Sequence, residues 1–125
     1  LPAPAPKRAA PVGAEVFQQT GCAACHVPSL RVGTRDVGLY SDLLLHDMGR
    51  SLNDGVVQGS AAGADWRTTP LWGLRDRSRF LHDGRARSVE AAILEHGGEA
   101  QRARQRFRSL SDAARGDLLA FLRTL

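Results

Sequence analysis

The two cysteines of the chain stand two residues apart, and a histidine follows directly. They are Cys22, Cys25 and His26, within the run TGCAACHVPS. This C-x-x-C-H spacing is that of covalent c-type haem attachment. Two thiols reach the vinyl groups at one edge of a porphyrin, and the next residue is carried beneath the ring, where its imidazole binds the iron. The motif predicts one covalent haem c, with Cys22 and Cys25 as thioether residues and His26 as the proximal iron ligand.

Three other uses of two cysteines compete with haem attachment. A thioredoxin-like redox pair needs a βαβ context, which the sequence does not show. A zinc site needs a second pair of ligands at close spacing, but His46, His82 and His96 stand far apart. A disulfide across two residues removes little chain entropy and stabilises weakly. Haem attachment is the best explanation of the motif.

A haem held by His26 has a sixth position at its iron, and the sequence offers two ligands for it. His96 ends the apolar face of a helix predicted over 88–96, where apolar residues recur at i, i+3 and i+4. The two glycines after it free the backbone for close approach to a ring. Met48 is the alternative, although methionine also suits packing against a porphyrin. These residues alone leave both ligands open.

Haem propionates need cations or hydrogen-bond donors. The stretches WRTTPLWGL and FLHDGRA mix aromatic and basic residues around turns. Their candidates for the haem pocket or the propionates are Arg67, Trp72, His82 and Arg85. A solvated surface position is the simpler expectation for most of the sixteen arginines.

Short helices must position these residues. Ser88 and Ser111 are good N-caps for helices that follow them, and no stretch alternates polar and apolar residues over a useful length. The predicted fold class is therefore all-α, with short helices and long loops. The prolines at the start predict an extended linker over 1–12, followed by one domain over 13–125.

Composition limits the classes of function. The net charge is +4, but the arginines are interleaved with thirteen acids and lack a stacking aromatic motif, so nucleic acid is not an expected partner. No apolar run is long enough to span a membrane. The start of the chain lacks the apolar region of a signal peptide, so we expect a processed or excised chain. Short helices with 6% aromatic residues build a weak core, which a large apolar cofactor would complete.

Several stretches together resemble a known family. GCAACH, YSDLLLHDMG, WRTTPLWGL, FLHDGRARSVEAAILEHGGEA and LLAFLRTL are similar to the C-terminal haem domain of the di-haem cytochrome c peroxidase superfamily. The similarity is greatest to its di-haem oxidoreductase, or thiol oxidoreductase, branch and runs from about Gly13 to Leu125. It implies a cytochrome c fold around one covalent haem. In the peroxidase branch this haem transfers electrons, and peroxide reacts at a second haem in an N-terminal domain that lies outside this sequence.

The resemblance also bears on the distal ligand. The methionine ligand of the peroxidase branch ends the helix after the HDG motif, and the matching position here is His96. The position that matches Met48 is usually aliphatic in that branch, which implies a packing role. The resemblance therefore favours His96, and with it an iron bound by two histidines.

The expected function is electron transfer by a six-coordinate monohaem domain. The alternative is a haem peroxidase or other oxidoreductase with an open or displaceable sixth position, in which Glu99 is an acid–base candidate. The expected partner is a redox protein or a second haem domain. The resemblance implies thioether formation outside the cytoplasm, so we expect a periplasmic or otherwise extracytoplasmic location.

Overall fold

The structure is a computed structural model, and it describes residues 11–125. Within these residues the chain forms four α-helices and four three-residue strands. No helix in this part is both long enough and apolar enough to cross a membrane. The helices are α1 (Pro11–Thr20), α2 (Val89–Glu95), α3 (Gln101–Arg108) and α4 (Asp112–Leu122). The strands are β1 (Leu30–Val32), β2 (Arg35–Val37), β3 (Leu45–Asp47) and β4 (Asp65–Arg67). Single 3₁₀ turns lie at Cys22–Ala24, Arg50–Leu52, Leu74–Asp76 and Gly98–Ala100.

Helix α1 begins inside the segment predicted as a linker. Its first residue is Pro11, and proline suits the first helical position because the amide hydrogen that it lacks would have no partner there. The rest of the predicted linker, residues 1–10, lies outside the described residues. The helix ends at Thr20, and Gly21 follows with a φ of 93°. This left-handed residue turns the chain directly into the cysteine motif.

The first and last helices pack closely together. A Cβ atom at Gly13 of α1 would overlap the carbonyl oxygen of Asp117 and the side chain of Phe121 in α4, so the crossing needs a glycine. Around this crossing lies the main apolar core, whose buried members are Val16, Phe17, Leu74, Phe107, Leu118, Phe121, Leu122 and Leu125.

Three aromatic rings connect this core to the loop after the cysteine motif. Tyr40 lies edge-on to Phe17 and to Phe121, with ring centroids 6.0 and 5.9 Å apart. Phe17 and Phe121 are themselves 5.4 Å apart. Edge-to-face contacts at these distances are favourable beyond the area that they bury. The loop at Tyr40 is therefore fixed against α1 and α4.

The prediction of an all-α fold is wrong. Strands β1 and β2 form an antiparallel hairpin within the predicted loop 27–40, and β3 pairs antiparallel with β4, with His46 opposite Trp66. Each strand has three residues, which is too short for the alternation of polar and apolar residues to be visible. The pairing of β3 with β4 also joins two distant segments, which local sequence cannot reveal.

Candidate functional site

The cysteine motif forms a tight turn directly after α1. Cys22–Ala24 make one turn of 3₁₀ helix, and the backbone amide of His26 donates to the carbonyl oxygen of Cys22 at 2.9 Å. The following loop is tied to this turn, because the amide of Asp42 donates to the carbonyl oxygen of Cys25 at 2.8 Å. The motif and the loop over 40–42 therefore form one local unit.

The ring of His26 is oriented by a backbone carbonyl. Its Nδ1 lies 3.0 Å from the carbonyl oxygen of Tyr40. A carbonyl oxygen only accepts, so Nδ1 carries the hydrogen and Nε2 of the neutral ring keeps its lone pair. Burial lowers the pKa of His26 to about 4, although the bond to Tyr40 opposes this change. At neutral pH the residue is thus a neutral imidazole with its lone pair on Nε2, which is the usual state of a ligating histidine.

His96 has the same hydrogen-bonding pattern but a different support. It directly follows α2, and its Nδ1 donates to the carbonyl oxygen of Ala92 at 2.8 Å. The helix is fixed at its other end by Ser88, whose Oγ accepts from the amide of Ala91 at 3.0 Å. Burial is the main cause that lowers the pKa of His96. This side chain, too, is neutral near pH 7, with the lone pair on Nε2.

The rings of His26 and His96 lie next to each other, and we call these two residues the facing pair. The ring centroids of His26 and His96 are 6.5 Å apart, and the ring planes are inclined by 44°. A bond between a metal and an imidazole nitrogen is about 2 Å long, so one metal between two Nε2 atoms separates the ring centres by about 6 Å. The observed separation fits a single iron held between His26 and His96. The residues present therefore suit a haem iron with two axial histidines.

The two thiols are not activated as nucleophiles. Burial raises the pKa of Cys22 to about 11, and burial followed by the charge of Asp42 raises the pKa of Cys25. Both side chains are thiols at neutral pH, unlike the low-pKa thiolate of a redox-active pair. This chemistry argues against the thioredoxin-like alternative.

The backbone of Met48 lies against the glycines that follow His96. A Cβ at Gly97 would lie 2.7 Å from the carbonyl oxygen of Met48, and a Cβ at Gly98 would overlap the carbonyl oxygen of Asp47. The glycine pair thus allows the chain after α2 to lie against the end of β3. From the sequence we expected these glycines to allow close approach to a haem ring. The contact that the structure shows is with the backbone of Asp47 and Met48.

A third histidine, His46, lies between two carboxylates. Its Nδ1 is 2.8 Å from Oε2 of Glu99, and its Nε2 is 2.8 Å from Oδ2 of Asp42. The bond to Glu99 is the first of several causes that raise the pKa of His46. Potential ligand atoms of Cys25, Asp42 and His46 lie within 4.8 Å of one another, as a metal site would require. Both nitrogens of His46 are already hydrogen-bonded, however, so this ring offers no spare lone pair.

The four candidates for the haem pocket have varied surroundings. Arg85 is engaged, since its Nε lies 2.6 Å from Oδ2 of Asp83 and its Nη1 donates to the carbonyl oxygen of Ser51 at 2.8 Å. The ring of His82 stacks on Trp66 with centroids 3.7 Å apart. Trp72 is half-buried, and Arg67 is exposed in β4. Within residues 11–125, no hydrogen bond joins Arg67, His82 or Arg85 to either facing histidine.

The residues that hold the loop next to His26 in place could not be identified from the sequence. Ser41 is fully buried, and its Oγ donates to the carbonyl oxygen of Thr68 at 2.7 Å while accepting from the amide of Leu43 at 2.9 Å. Its neighbours Tyr40 and Leu43 have φ values of 53° and 61°, which are unusual for large residues. No sequence signal identifies a backbone carbonyl as a hydrogen-bond acceptor for a ligand, so Tyr40 could not be found beforehand.

A family model described as "Di-haem oxidoreductase, putative peroxidase" matches residues 4–125. The chain belongs to this family. The resemblance inferred from the sequence is thereby confirmed, and the di-haem oxidoreductases are a family of haem-based redox proteins.

One curated relative of this di-haem oxidoreductase chain is the methylamine utilization protein MauG of Methylorubrum extorquens. The two are 31% identical over 121 residues, a match that covers 86% of this chain and 31% of MauG. The chain thus spans about a third of the length of this relative. No solved structure matches the chain.

Proposed function

We propose that this chain is an electron-transfer domain with one covalent haem c. Cys22 and Cys25 form the thioethers, His26 binds the iron on the proximal side and His96 on the distal side. The single observation that supports this most strongly is the facing pair, 6.5 Å apart, in which both Nδ1 atoms donate to backbone carbonyls.

When bound, the haem supplies a one-electron couple. The chain's own residues keep two neutral imidazoles in place, and each carbonyl contact holds one ring in the tautomer that presents Nε2. If His26 and His96 both bound the iron, no coordination site would remain for a substrate, which favours electron exchange over chemistry at the iron. Histidine in place of methionine also favours a lower reduction potential.

The partner in this proposal is a redox protein or a second haem domain. The chain holds one C-x-x-C-H motif, whereas its family is described as di-haem, so a second haem would be bound outside this motif. Because thioether formation in such proteins takes place outside the bacterial cytoplasm, we also propose an extracytoplasmic location. The two cysteines form no disulfide with each other, and Cys25 directly precedes the proposed iron ligand.

A second candidate is a peroxidase with a displaceable distal ligand. The description of the family model names this activity. Glu99, whose carboxylate bonds to His46, directly follows the two glycines after His96. In that case His96 would leave the iron during turnover. Steady oxidation of an electron donor by hydrogen peroxide would favour this candidate over simple electron transfer.

The distal ligand can be tested on the haem-loaded protein by absorption spectroscopy. We expect His96→Ala to convert the iron from low-spin to high-spin, whereas Met48→Ala keeps the low-spin spectrum. Met48→Ala is the matched control, because Met48 lies on the same side of the site through its contact with Gly97. The reverse result would make Met48 the ligand.

Covalent attachment is tested separately. Acid–acetone extraction should leave the haem absorbance with the protein, and it should remove the haem from a Cys22→Ala, Cys25→Ala double variant. The haem c proposal is wrong if the wild-type protein loses its haem on extraction. It is also wrong if the protein shows no Soret band and binds zinc at Cys25, Asp42 and His46.

A further inference from the structure

Helix α3 carries a strong local positive charge. Its eight residues include four arginines and no acid, and the nearest acids along the chain are Glu99 and Asp112. Three of these arginines are exposed, namely Arg102, Arg106 and Arg108. The helix therefore presents a basic surface to its surroundings, whereas the arginines elsewhere in the chain are interleaved with acids.

The arginines of α3 have no acidic partner within residues 11–125. In this part of the chain the arginines that form ion pairs lie on other elements, and they are Arg31, Arg75, Arg85 and Arg115. The sequence of residues 1–10 contains no Asp or Glu. Like charges one helical turn apart, such as those of Arg102 and Arg106, repel each other. An acidic surface placed against the helix would offset this repulsion.

Arg102 and Arg106 line one groove, which we call the arginine groove. It lies between the end of α1 and the exposed side of α3, is open to solvent and has a volume of about 660 Å³. Its other lining residues are Gln19, Thr20, Gln105, Ser109 and Leu110. The groove is therefore basic, and most of its remaining side chains are able to form hydrogen bonds.

The arginine groove lies next to the cysteine motif. Thr20, which lines it, is the last residue of α1, and Gly21 and Cys22 follow directly. A Cβ atom placed on Gly21 would lie 3.2 Å from Nη1 of Arg106, so this guanidinium lies against the residue before Cys22. Because Cys22 is bonded to the haem in the proposed function, a partner seated in the groove would lie beside the point of attachment.

The composition of α3 favours a protein surface over other anionic partners. Proteins that bind single-stranded nucleic acid stack its bases on aromatic rings, and the one aromatic residue of α3, Phe107, is fully buried. A helix that lies on an anionic membrane turns an apolar face to the lipid, but the exposed residues of α3 are all Gln or Arg. Arginine is enriched at protein interfaces, and its planar group binds carboxylates through two parallel hydrogen bonds.

We propose that the arginine groove binds an acidic surface patch of the protein that exchanges electrons with the haem. The inference rests on the proposed function for the redox nature of this partner, and it adds the place at which the partner docks. Arg102 and Arg106 provide the charged contacts. Attraction of this kind accelerates association, and because both side chains are exposed it weakens as the salt concentration rises.

The first test measures the binding of a short labelled oligoglutamate peptide to the haem-loaded protein by fluorescence anisotropy. Arg102→Gln together with Arg106→Gln, the groove variant, should raise the dissociation constant about three- to tenfold, since two exposed charge contacts are lost. The matched control is Arg35→Gln together with Arg108→Gln, which removes two charges at exposed positions outside the groove. The control should bind the peptide like the wild type. Equal dissociation constants for the groove variant and the control would overturn the inference.

The second test asks whether the occupied groove affects electron exchange. Hexacyanoferrate(III) takes one electron from the reduced haem and becomes hexacyanoferrate(II). A peptide concentration that saturates the wild type should slow this oxidation in the wild type and in the control, and it should slow it less in the groove variant. A peptide that binds the groove without slowing the oxidation would overturn docking of a redox partner there.

Two other probes test the choice of a protein as partner. Single-stranded oligothymidine and vesicles of phosphatidylglycerol should bind more weakly than the peptide at equal negative charge. Tighter binding of either probe, lost in the groove variant, would overturn the choice. Glutamine is a good helix former, so both α3 substitutions should leave the helix intact. If the groove variant does not fold, Arg102→Gln is compared with Arg108→Gln instead.

The result is separable from the proposed function. A wild-type protein without thioether haem, or without a low-spin spectrum, refutes the proposed function before any variant is made. A low-spin wild type whose groove variant binds the peptide like the control refutes only the docking site.

Discussion

The facing pair and His46 show how one residue type can have opposite chemistry within one small protein. His26 and His96 each donate from Nδ1 to a backbone carbonyl, and burial lowers the pKa of both. The nitrogens of His46 contact two carboxylates, and the pKa of His46 is raised. A carbonyl partner fixes a neutral tautomer with a free lone pair, whereas two carboxylates favour the cation. The hydrogen-bond partner, rather than proximity to the cysteines, distinguishes the two proposed ligands from His46.

Removal of His26 is the largest expected effect. His26→Ala should lower the haem-to-protein ratio of the purified protein at least about tenfold, because the iron would not be held while the two thioethers form; even outer-shell partners of ligating histidines are worth about 10–100-fold in metal affinity. His46→Ala should leave this ratio unchanged. The ratio is measured by absorbance of the haem against total protein. Equal losses in the two variants would remove the distinction between the facing pair and His46.

Gly98 joins the two regions, because it lies between His96 and Glu99. Its φ is 49°, and a Cβ there would overlap the carbonyl oxygen of Asp47. Gly98→Ala should therefore lower the free energy of unfolding by about 2–4 kcal/mol and disturb both histidines. Denaturant unfolding measures this change.

Gly116→Ala is the matched control for that substitution. Gly116 lies in α4, and nothing lies within 4 Å of a Cβ placed there. The same change should raise the free energy of unfolding by about 0.5–1 kcal/mol, the helix-propensity gain of alanine over glycine. A loss of stability at Gly116 as large as that at Gly98 would show that the tight contact at Gly98 is not the cause.

The support of His26 can be weakened without touching its ring. Ser41→Ala removes the buried hydroxyl next to Tyr40 and leaves the carbonyl oxygen of Thr68 without this donor. We expect a loss of about 1–3 kcal/mol in the free energy of unfolding. Ser29→Ala, at an exposed position, should change it by less than about 0.5 kcal/mol. Similar effects at the two serines would contradict the role of Ser41.

The smallest effect concerns pH. The pKa of His46 in the folded chain lies above its ordinary value of 6.5, chiefly through Glu99. Its protonation therefore stabilises the folded state fully below pH 6.5, and this contribution is lost as the pH rises through the folded pKa. His46→Gln should remove this decline in stability with rising pH. The free energies of unfolding of the wild type and the variant should therefore differ more below pH 6.5 than above the folded pKa. Denaturant unfolding over a pH series measures the slope, and parallel curves would exclude a charged His46.

The two axial positions differ in how far the sequence predicts them. His26 follows from a local spacing that porphyrin geometry imposes. His96 follows from helical periodicity, an N-cap at Ser88 and two glycines, and the family resemblance strengthened it. The distance between their ring centroids is close to the value that a shared iron would need, and ligation itself is still a prediction.

Other features of the structure could not be predicted from the sequence. The carbonyl oxygen of Tyr40 acts through the backbone, which every residue has. The strands are three residues long, so β3 and β4 were missed and the all-α prediction is wrong.

The contacts among Phe17, Tyr40 and Phe121 have a consequence for any shortened form of the protein. Phe121 in the last helix contacts Tyr40, and the carbonyl oxygen of Tyr40 orients His26. A fragment that ends before α4 would keep both cysteines and the histidine in perfect spacing. It would lose one of the two rings that contact Tyr40, which would weaken the support for the orientation of the imidazole. A five-residue motif near the start of the domain is thus completed by residues almost a hundred positions later.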